Sequence, residues 1–241
     1  MNTPIYAIGD IHGQRAMLED ALALIEADGG ADAPIVFLGD YVDRGPDSRG
    51  VLDLLSRGLI EGRNWTCLKG NHDRMMEWYL DTPPRHDPYL LVGYDWMHER
   101  IGGRATLASY GVTQVDRRRM FELADEVRTT VPQTHQEFLR NLPLTHHVDG
   151  LFFVHAGIRP GVALDAQSET DLLWIRAEFH DDSRDHGALI VHGHTPLDSP
   201  QHYGNRVNLD SGAGYDRPLT TAVFEGDTAW RLTSKGRVAL D

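Results

Sequence analysis

Apolar residues in this chain come in short blocks whose internal spacing switches between two periods. Residues 4–8 form a brief apolar run that stops at Gly9-Asp10, as a buried strand does. From 14 to 27 the apolar positions Met17, Leu18, Ala21, Leu22 and Ile25 recur at helical spacing, and Gly29-Gly30 ends the pattern. A strand over 34–38, a helix over about 47–57, a strand over 65–68 and a helix beginning near Asn71 continue the alternation. Strands and helices in strict turn predict parallel pairing with helices on the sheet faces.

The pattern weakens between about 81 and 142, a stretch that opens with Asp81-Thr82-Pro83-Pro84. Helices are expected there around 103–110, 116–129 and 133–141. Because strands resume afterwards, the stretch reads as a helical cap inserted into one domain that takes in 1–241. Strands at 144–148 and 151–154 flank Asp149-Gly150, a hairpin signal. Further strands fall at 188–191, 206–209, 219–224 and 228–232, the last two joined at Glu225-Gly226-Asp227. The chain is therefore expected to be α/β, with a small helical insert.

Composition narrows the function. The 241 residues are 41% apolar, enough for a sizeable core, and carry a formal net charge of −13. That charge argues against a nucleic-acid binder, which needs a basic face to displace counterions. It suits a site for hard divalent cations, which proteins hold with clustered carboxylates. Cys67 is the single cysteine, so neither an internal disulfide nor a thiolate zinc site can form. Met1-Asn2-Thr3-Pro4 lacks the features of a secretory leader, and no run reaches the length of a membrane span. A cytoplasmic protein without membrane contact is expected.

The chemistry gathers where strands end. Strand one runs into Gly9-Asp10-Ile11-His12-Gly13, strand two into Gly39-Asp40-Tyr41-Val42-Asp43-Arg44-Gly45, and strand three into Gly70-Asn71-His72-Asp73. Two later apolar strands end in His155-Ala156-Gly157 and in His192-Gly193-His194-Thr195. In open α/β sheets the carboxyl ends of the strands form the ligand crevice, so these loops should converge. Asp, His and Asn without Cys suit manganese, iron or zinc. Two such ions can share a bridging carboxylate and hydroxide and clamp both oxygens of an in-line displacement.

This set of motifs resembles the metallophosphoesterase superfamily, and within it the PPP-type phosphoprotein phosphatases, above all the short bacterial and phage lambda enzymes. The resemblance runs from Pro4 to about Leu80 and from Leu144 to about Thr221. It implies a calcineurin-like α-β-β-α sandwich binding two divalent metal ions, manganese foremost, with iron or zinc as alternatives. It implies that Asp10 and His12 ligate one metal, that Asp40 bridges, and that Asn71, His155 and His194 complete the second. His72 would be the general acid, oriented by Asp43, while Arg44 and Arg176 would hold phosphoryl oxygens, with Asn71 also near the substrate. Departures are Asp73 where eukaryotic relatives carry Glu, His-Ala-Gly rather than His-Gly-Gly, and Asp210-Ser211-Gly212-Ala213-Gly214 in place of a long C-terminal loop.

Other polar residues read as structural. His192 is expected to support the site without entering it, and His86, His98, His135, His146, His147, His180, His186 and His202 to be solvated loop or turn residues. Arg117-Arg118-Arg119 is expected on a solvated helix face. Trp78, Tyr79, Tyr89, Tyr94 and Trp96 fit a cleft wall or a core equally well. The leading expectation is a phosphomonoesterase for phosphoserine and phosphothreonine, extending to phosphotyrosine, with phosphorylated proteins or peptides as partners and no nucleic acid. Symmetrical cleavage of dinucleoside tetraphosphates on the same core is the alternative. A non-catalytic phosphate-binding regulator is a third reading, against which no motif residue is missing. Oligomeric state is not legible.

Overall fold

The computed structural model describes residues 3–240, so the reading of Met1 and Asn2 as no leader lies outside it. Strands β1 (Ile5–Ile8), β2 (Ile35–Phe37) and β3 (Trp65–Cys67) pair in parallel, as the alternation predicts. Helices α1 (Arg15–Gly29), α2 (Ser48–Ile60) and α3 (Asn71–Tyr79) follow them. The start of α2 is fixed by Asp47, whose side chain accepts the Gly50 N–H at 2.8 Å.

Next come α4 (Gly103–Ser109), α5 (Met120–Thr130) and α6 (Gln133–Asn141) of the insert, then β4 (Thr145–Val148) and β5 (Leu151–Val154). Two short helices, α7 (Glu169–Trp174) and α8 (Ala177–His180), precede β6 (Leu189–His192), β7 (Gln201–His202) and β8 (Arg206–Asn208). The chain finishes with β9 (Thr221–Glu225), β10 (Thr228–Thr233) and β11 (Gly236–Ala239).

These strands form two sheets, ordered β11-β10-β9-β1-β2-β3 and β4-β5-β6-β8-β7. The period-2 alternation within single strands shows why they stack. In β1, Ile5 and Ala7 face the second sheet, and in β5, Leu151 and Phe153 face back; with Val36, Leu38, Val191 and Val207 they build the inter-sheet core. The other faces carry helices. Tyr6, Ile8 and Phe37 pack under α1, α2 and the insert, while Phe152, Val154 and Ile190 pack against Leu172, Ile175 and Phe179. The result is the expected α-β-β-α sandwich. Leu107, Leu123, Val127, Phe138 and Leu139 of the insert share one core with Leu52, Met75 and Met76.

Several details depart from expectation. The helix expected at 116 starts at Met120, because Gln114 is left-handed, a 3₁₀ turn covers 115–117 and Arg118 is extended. The arginine run therefore precedes that helix. Strands β7 and β11 went unforeseen, one being only 2 residues long and the other exposed throughout, so neither offers a hydrophobic period. His135 is a correction: it is buried, with Nδ1 2.7 Å from Tyr110 Oη and Nε2 3.0 Å from Asp53 Oδ1. His146 and His147 lie in β4, and His180 is half-buried against Phe179.

Phe224 (1% exposed) meets Phe153 edge-on between the sheets, with ring centroids 5.9 Å apart. Phe224→Ala should cost about 3–5 kcal/mol by cavity formation, measured by urea unfolding. A loss below about 1 kcal/mol would mean that the sheets do not pack through this pair.

Candidate active site

The parallel strands of both sheets aim their carboxyl ends at one edge, and the motif residues leave from there. Asp10 and His12 follow β1, Asp40 follows β2, Asn71 opens α3, His155 follows β5 and His194 follows β6. All six are at most 6% exposed. The loops turn so tightly that His12, Asp40, Asp43, Arg44 and His194 take left-handed backbone, with φ between 48° and 74°. Each such residue stores roughly 1–3 kcal/mol of strain. Gly70 is needed for clearance, since a Cβ there would run into the Asp40 carboxylate.

Asp40 stands between imidazoles from the two sheets. Its Oδ2 is 3.5 Å from His12 Nε2 and its Oδ1 is 3.5 Å from His155 Nε2. Asn71 Oδ1 lies 2.9 Å from His155 Nε2 and 3.0 Å from His194 Nδ1. The Asp10 carboxylate accepts the His194 N–H at 3.0 Å. Asp73, which the motif reading left without a role, fixes this loop by accepting the N–H groups of Asp40 (2.7 Å), Tyr41 (2.9 Å) and Gly70 (2.8 Å).

The cluster suits divalent ions. His12 Nδ1 lies 2.8 Å from the Val42 carbonyl and His155 Nδ1 lies 2.9 Å from the Leu38 carbonyl. A carbonyl only accepts, so both protons sit on Nδ1 and each Nε2 turns a lone pair inward. His155 Nε2 then meets Asn71 Oδ1 acceptor to acceptor, and His194 Nε2 is buried without a partner. Burial holds the pKa values of His12, His155 and His194 low, keeping the rings in the ligating form. Burial, then the charges of Asp210 and Asp40, push Asp10 well above the usual carboxylate range. Two overlapping ligand groups result, His12-Asp40-His72 and Asp40-His155-His194, with Asp40 common to both. The first takes in His72 where the resemblance implies Asp10; His72 Nδ1, however, is committed to Asp43 at 2.6 Å. Metals held here would supply Lewis acidity and an activated water.

Beside the cluster stand the groups expected to handle phosphate. Arg44 donates from Nη1 to His12 Nε2 at 2.6 Å and from Nη2 to His72 Nε2 at 3.0 Å, and its guanidinium lies 4.8 Å from the Tyr215 ring. Arg176 immediately precedes α8 and donates to the hydroxyl of Thr195, the residue after His194, at 3.1 Å. Burial pushes Asp43 up to about 7, while hydrogen bonds from Thr106 and Trp96 pull the other way. Burial also lowers His72 to about 3. His192 turns from the cluster toward Phe179 and His180, with ring centroids 5.2 and 5.6 Å away.

Sequence reasoning missed Trp96, Thr106 and Asp210. The first two lie in the insert, where no motif flags them. Asp210 sits in the Asp210-Ser211-Gly212 turn, whose acid was legible but unassigned; burial and the Asp40 charge raise its pKa.

Fold and site together define a hydrolase of the dimetal phosphoesterase class. The chain belongs to the calcineurin-like phosphoesterase family, whose model matches residues 3–228. It is 28% identical over 240 residues to the asymmetrical bis(5'-nucleosyl)-tetraphosphatase PrpE of Halalkalibacterium halodurans, covering 90% of this chain and 88% of that one. It is also 28% identical over 231 residues to serine/threonine-protein phosphatase 1 of Salmonella typhimurium, covering 92% of each. Among solved structures, a cold-active protein-tyrosine phosphatase of a psychrophilic Shewanella superposes with a TM-score of 0.64 at 17% identity, covering 100% of this chain and 81% of that one. Among the described residues no helix is long and apolar enough to cross a membrane.

Two outcomes are expected from thermal unfolding. Manganese should raise the Tm of the stripped protein, and Asp40→Asn should abolish the rise, because a ligand common to both groups is weakened. Asp210 has a raised folded pKa, so its contribution to stability is present at low pH and lost as pH climbs through the folded value. Asp210→Asn should therefore raise the Tm of the metal-stripped protein at pH 7, by about 2–4 °C per kcal/mol gained, and leave it unchanged at pH 4. An unchanged Tm at pH 7 would mean that Asp210 is not strained by its neighbours.

Proposed function

We propose that this chain is a phosphomonoesterase for phosphoserine and phosphothreonine in peptides and proteins, with phosphotyrosine within its reach. One observation carries the reading: His72 Nδ1 is bound at 2.6 Å to the carboxylate of Asp43, which is wholly buried. An alkoxide leaves poorly from phosphorus unless it receives a proton, and an imidazole braced by a carboxylate is a donor for that purpose. A phosphoanhydride needs no such device, since its leaving phosphate is already weakly basic.

In this reading Asp10, His12, Asp40, Asn71, His155 and His194 hold the metals, with manganese the first ion to try. Arg44 swings from the two imidazoles it now contacts onto the phosphoryl oxygens, and Arg176 approaches from the Thr195 side. The incoming phosphate dianion favours a protonated His72, offsetting the burial that lowers it. His72 Nε2 then passes its proton to the departing oxygen, while Asp43 keeps the ring aligned.

A second reading is hydrolysis of dinucleoside tetraphosphates. Tyr215 (54% exposed) and the pair Tyr89 and Trp174, near-parallel with centroids 6.2 Å apart, offer aromatic faces on which a base could stack. The likeness to PrpE points the same way, and that relative is named for asymmetrical cleavage, where the sequence suggested the symmetrical mode.

Phosphate release after manganese loading, on a phosphoserine peptide and a dinucleoside tetraphosphate in parallel, decides between the two. Turnover of the peptide at the higher kcat/KM is expected; turnover of the tetraphosphate alone would move the enzyme to nucleotide clearance. His72→Asn should retain metal and lose about 10²–10⁴-fold on the peptide. A variant as fast as the parent would remove His72 from the chemistry.

A further inference from the structure

The insert reaches Asp43 and Arg44 by several independent contacts. Trp96 Nε1–H is shared between Asp43 Oδ1 (3.0 Å) and Oδ2 (2.9 Å), which fixes the plane of the carboxylate. Thr106 Oγ1 donates to Asp43 Oδ1 at 2.7 Å and accepts the Asp43 backbone N–H at 2.8 Å. Its second lone pair faces Ser48 Oγ at 3.1 Å, so this hydroxyl is fully used. The Gly102 carbonyl accepts the Arg44 N–H at 3.3 Å, and any Cβ at Gly102 would press on the Arg44 backbone. Asp43 and Arg44 are both left-handed, at φ 74° and 67°, so the pair persists only while its surroundings enforce it. Trp96 and Thr106 are 4% and 0% exposed, and Trp96 is backed by Tyr79 with ring centroids 4.9 Å apart.

With Oδ1 taken by Thr106 and shared with Trp96, the remaining short bond of Oδ2 points at His72 Nδ1. Without those donors the carboxylate could rotate about its Cβ–Cγ bond, and the imidazole would lose its fixed direction. We propose that Trp96 and Thr106 are positioning residues for the proton donor: the insert completes the acid of the reaction by locking the Asp43 carboxylate that orients His72. The inference rests on His72 being the acid in the proposed function.

Leaving-group dependence tests it on the manganese-loaded full chain. Trp96→Phe keeps a ring and removes the N–H; Thr106→Val keeps the shape and removes the hydroxyl, and Thr106→Ser restores it. Phenyl phosphate needs proton donation to its leaving group, whereas p-nitrophenyl phosphate departs without it. Since general acid catalysis contributes about 10²–10⁴-fold in all, the two deletions should each lower kcat on phenyl phosphate by roughly 10–100-fold. On p-nitrophenyl phosphate the loss should stay under about threefold, with KM unchanged and Thr106→Ser near the parent on both. Equal losses on the two substrates, or none, overturn the proposal. If Trp96→Phe does not fold, the Thr106 pair decides. His72→Asn in the same series separates the two layers: a selective loss there without one in Trp96→Phe and Thr106→Val refutes the brace and leaves the acid standing. No selective loss in His72→Asn refutes both. A readout free of turnover is the Trp96 indole N–H resonance of the metal-free protein, identified by its absence in Trp96→Phe. It should be slow to exchange and should shift in Asp43→Asn, and a resonance indifferent to that change contradicts the contact.

Discussion

Asp40 sits on the seam between the two sheets, with one carboxylate oxygen 3.5 Å from an imidazole of the first sheet and the other 3.5 Å from an imidazole of the second. If metals are held here, Asp40 is the residue placed to reach the groups of both His12 and His155. The rest of the edge is arranged around it. Asp73 accepts three backbone N–H groups to hold the Asp40 loop, and Gly70 clears the space into which the carboxylate projects. The inter-sheet core, with Phe153 against Phe224, sets how far apart the two strand ends can lie. Packing several residues away from the site thus sets the separation of the two strand ends whose side chains would hold metals.

Such an edge stabilises the protein poorly on its own. Asp10, Asp40 and Asp210 crowd together in a buried region, and lone pairs of the His12 and His155 imidazoles face inward. Desolvated acceptors without donors oppose folding. Arg44 supplies part of what is missing by leaning onto His12 and His72, the same guanidinium proposed to take the phosphoryl group. A cation would compete with Arg44 for the imidazole lone pairs, and a phosphate would compete with those imidazoles for its N–H donors, which ties the position of Arg44 to what else is bound.

How much of this could be read beforehand depended on periodicity and on local motifs. The three parallel strands of the first half were legible because their apolar runs end abruptly at Gly-Asp, Gly-Asp and Gly-Asn pairs. The convergence of Asp10, Asp40, Asn71, His155 and His194 followed, since strand ends in such a sheet share one edge. Strand β11, exposed at every position, and the six-residue helix α7 carried no such signal. Trp96 and Thr106 were illegible for another reason. They meet Asp43 from more than fifty positions away in sequence, through side-chain hydrogen bonds that leave no spacing rule in the chain. Trp96 was noticed only as one of several aromatics, with core and cleft wall as its possible uses. His135 shows the converse error: flanked by the polar Thr134 and Gln136 it reads as solvated, although Tyr110 and Asp53 engage both ring nitrogens.

The contacts of the insert bear on how such an enzyme can change. A segment that merely overhung the cleft could drift, lengthen or be exchanged as selection altered the substrate. Here the stretch from Trp96 to Thr106 is anchored to Asp43 and Arg44, while α5 and α6 share a core with α2 and α3. Freedom to diversify is left to the portion around Tyr89, Leu91 and Val92, which is exposed and carries none of these bonds to Asp43. New specificities would be expected along that rim, while the inner half of the same insertion would tolerate change little better than the loops at the strand ends.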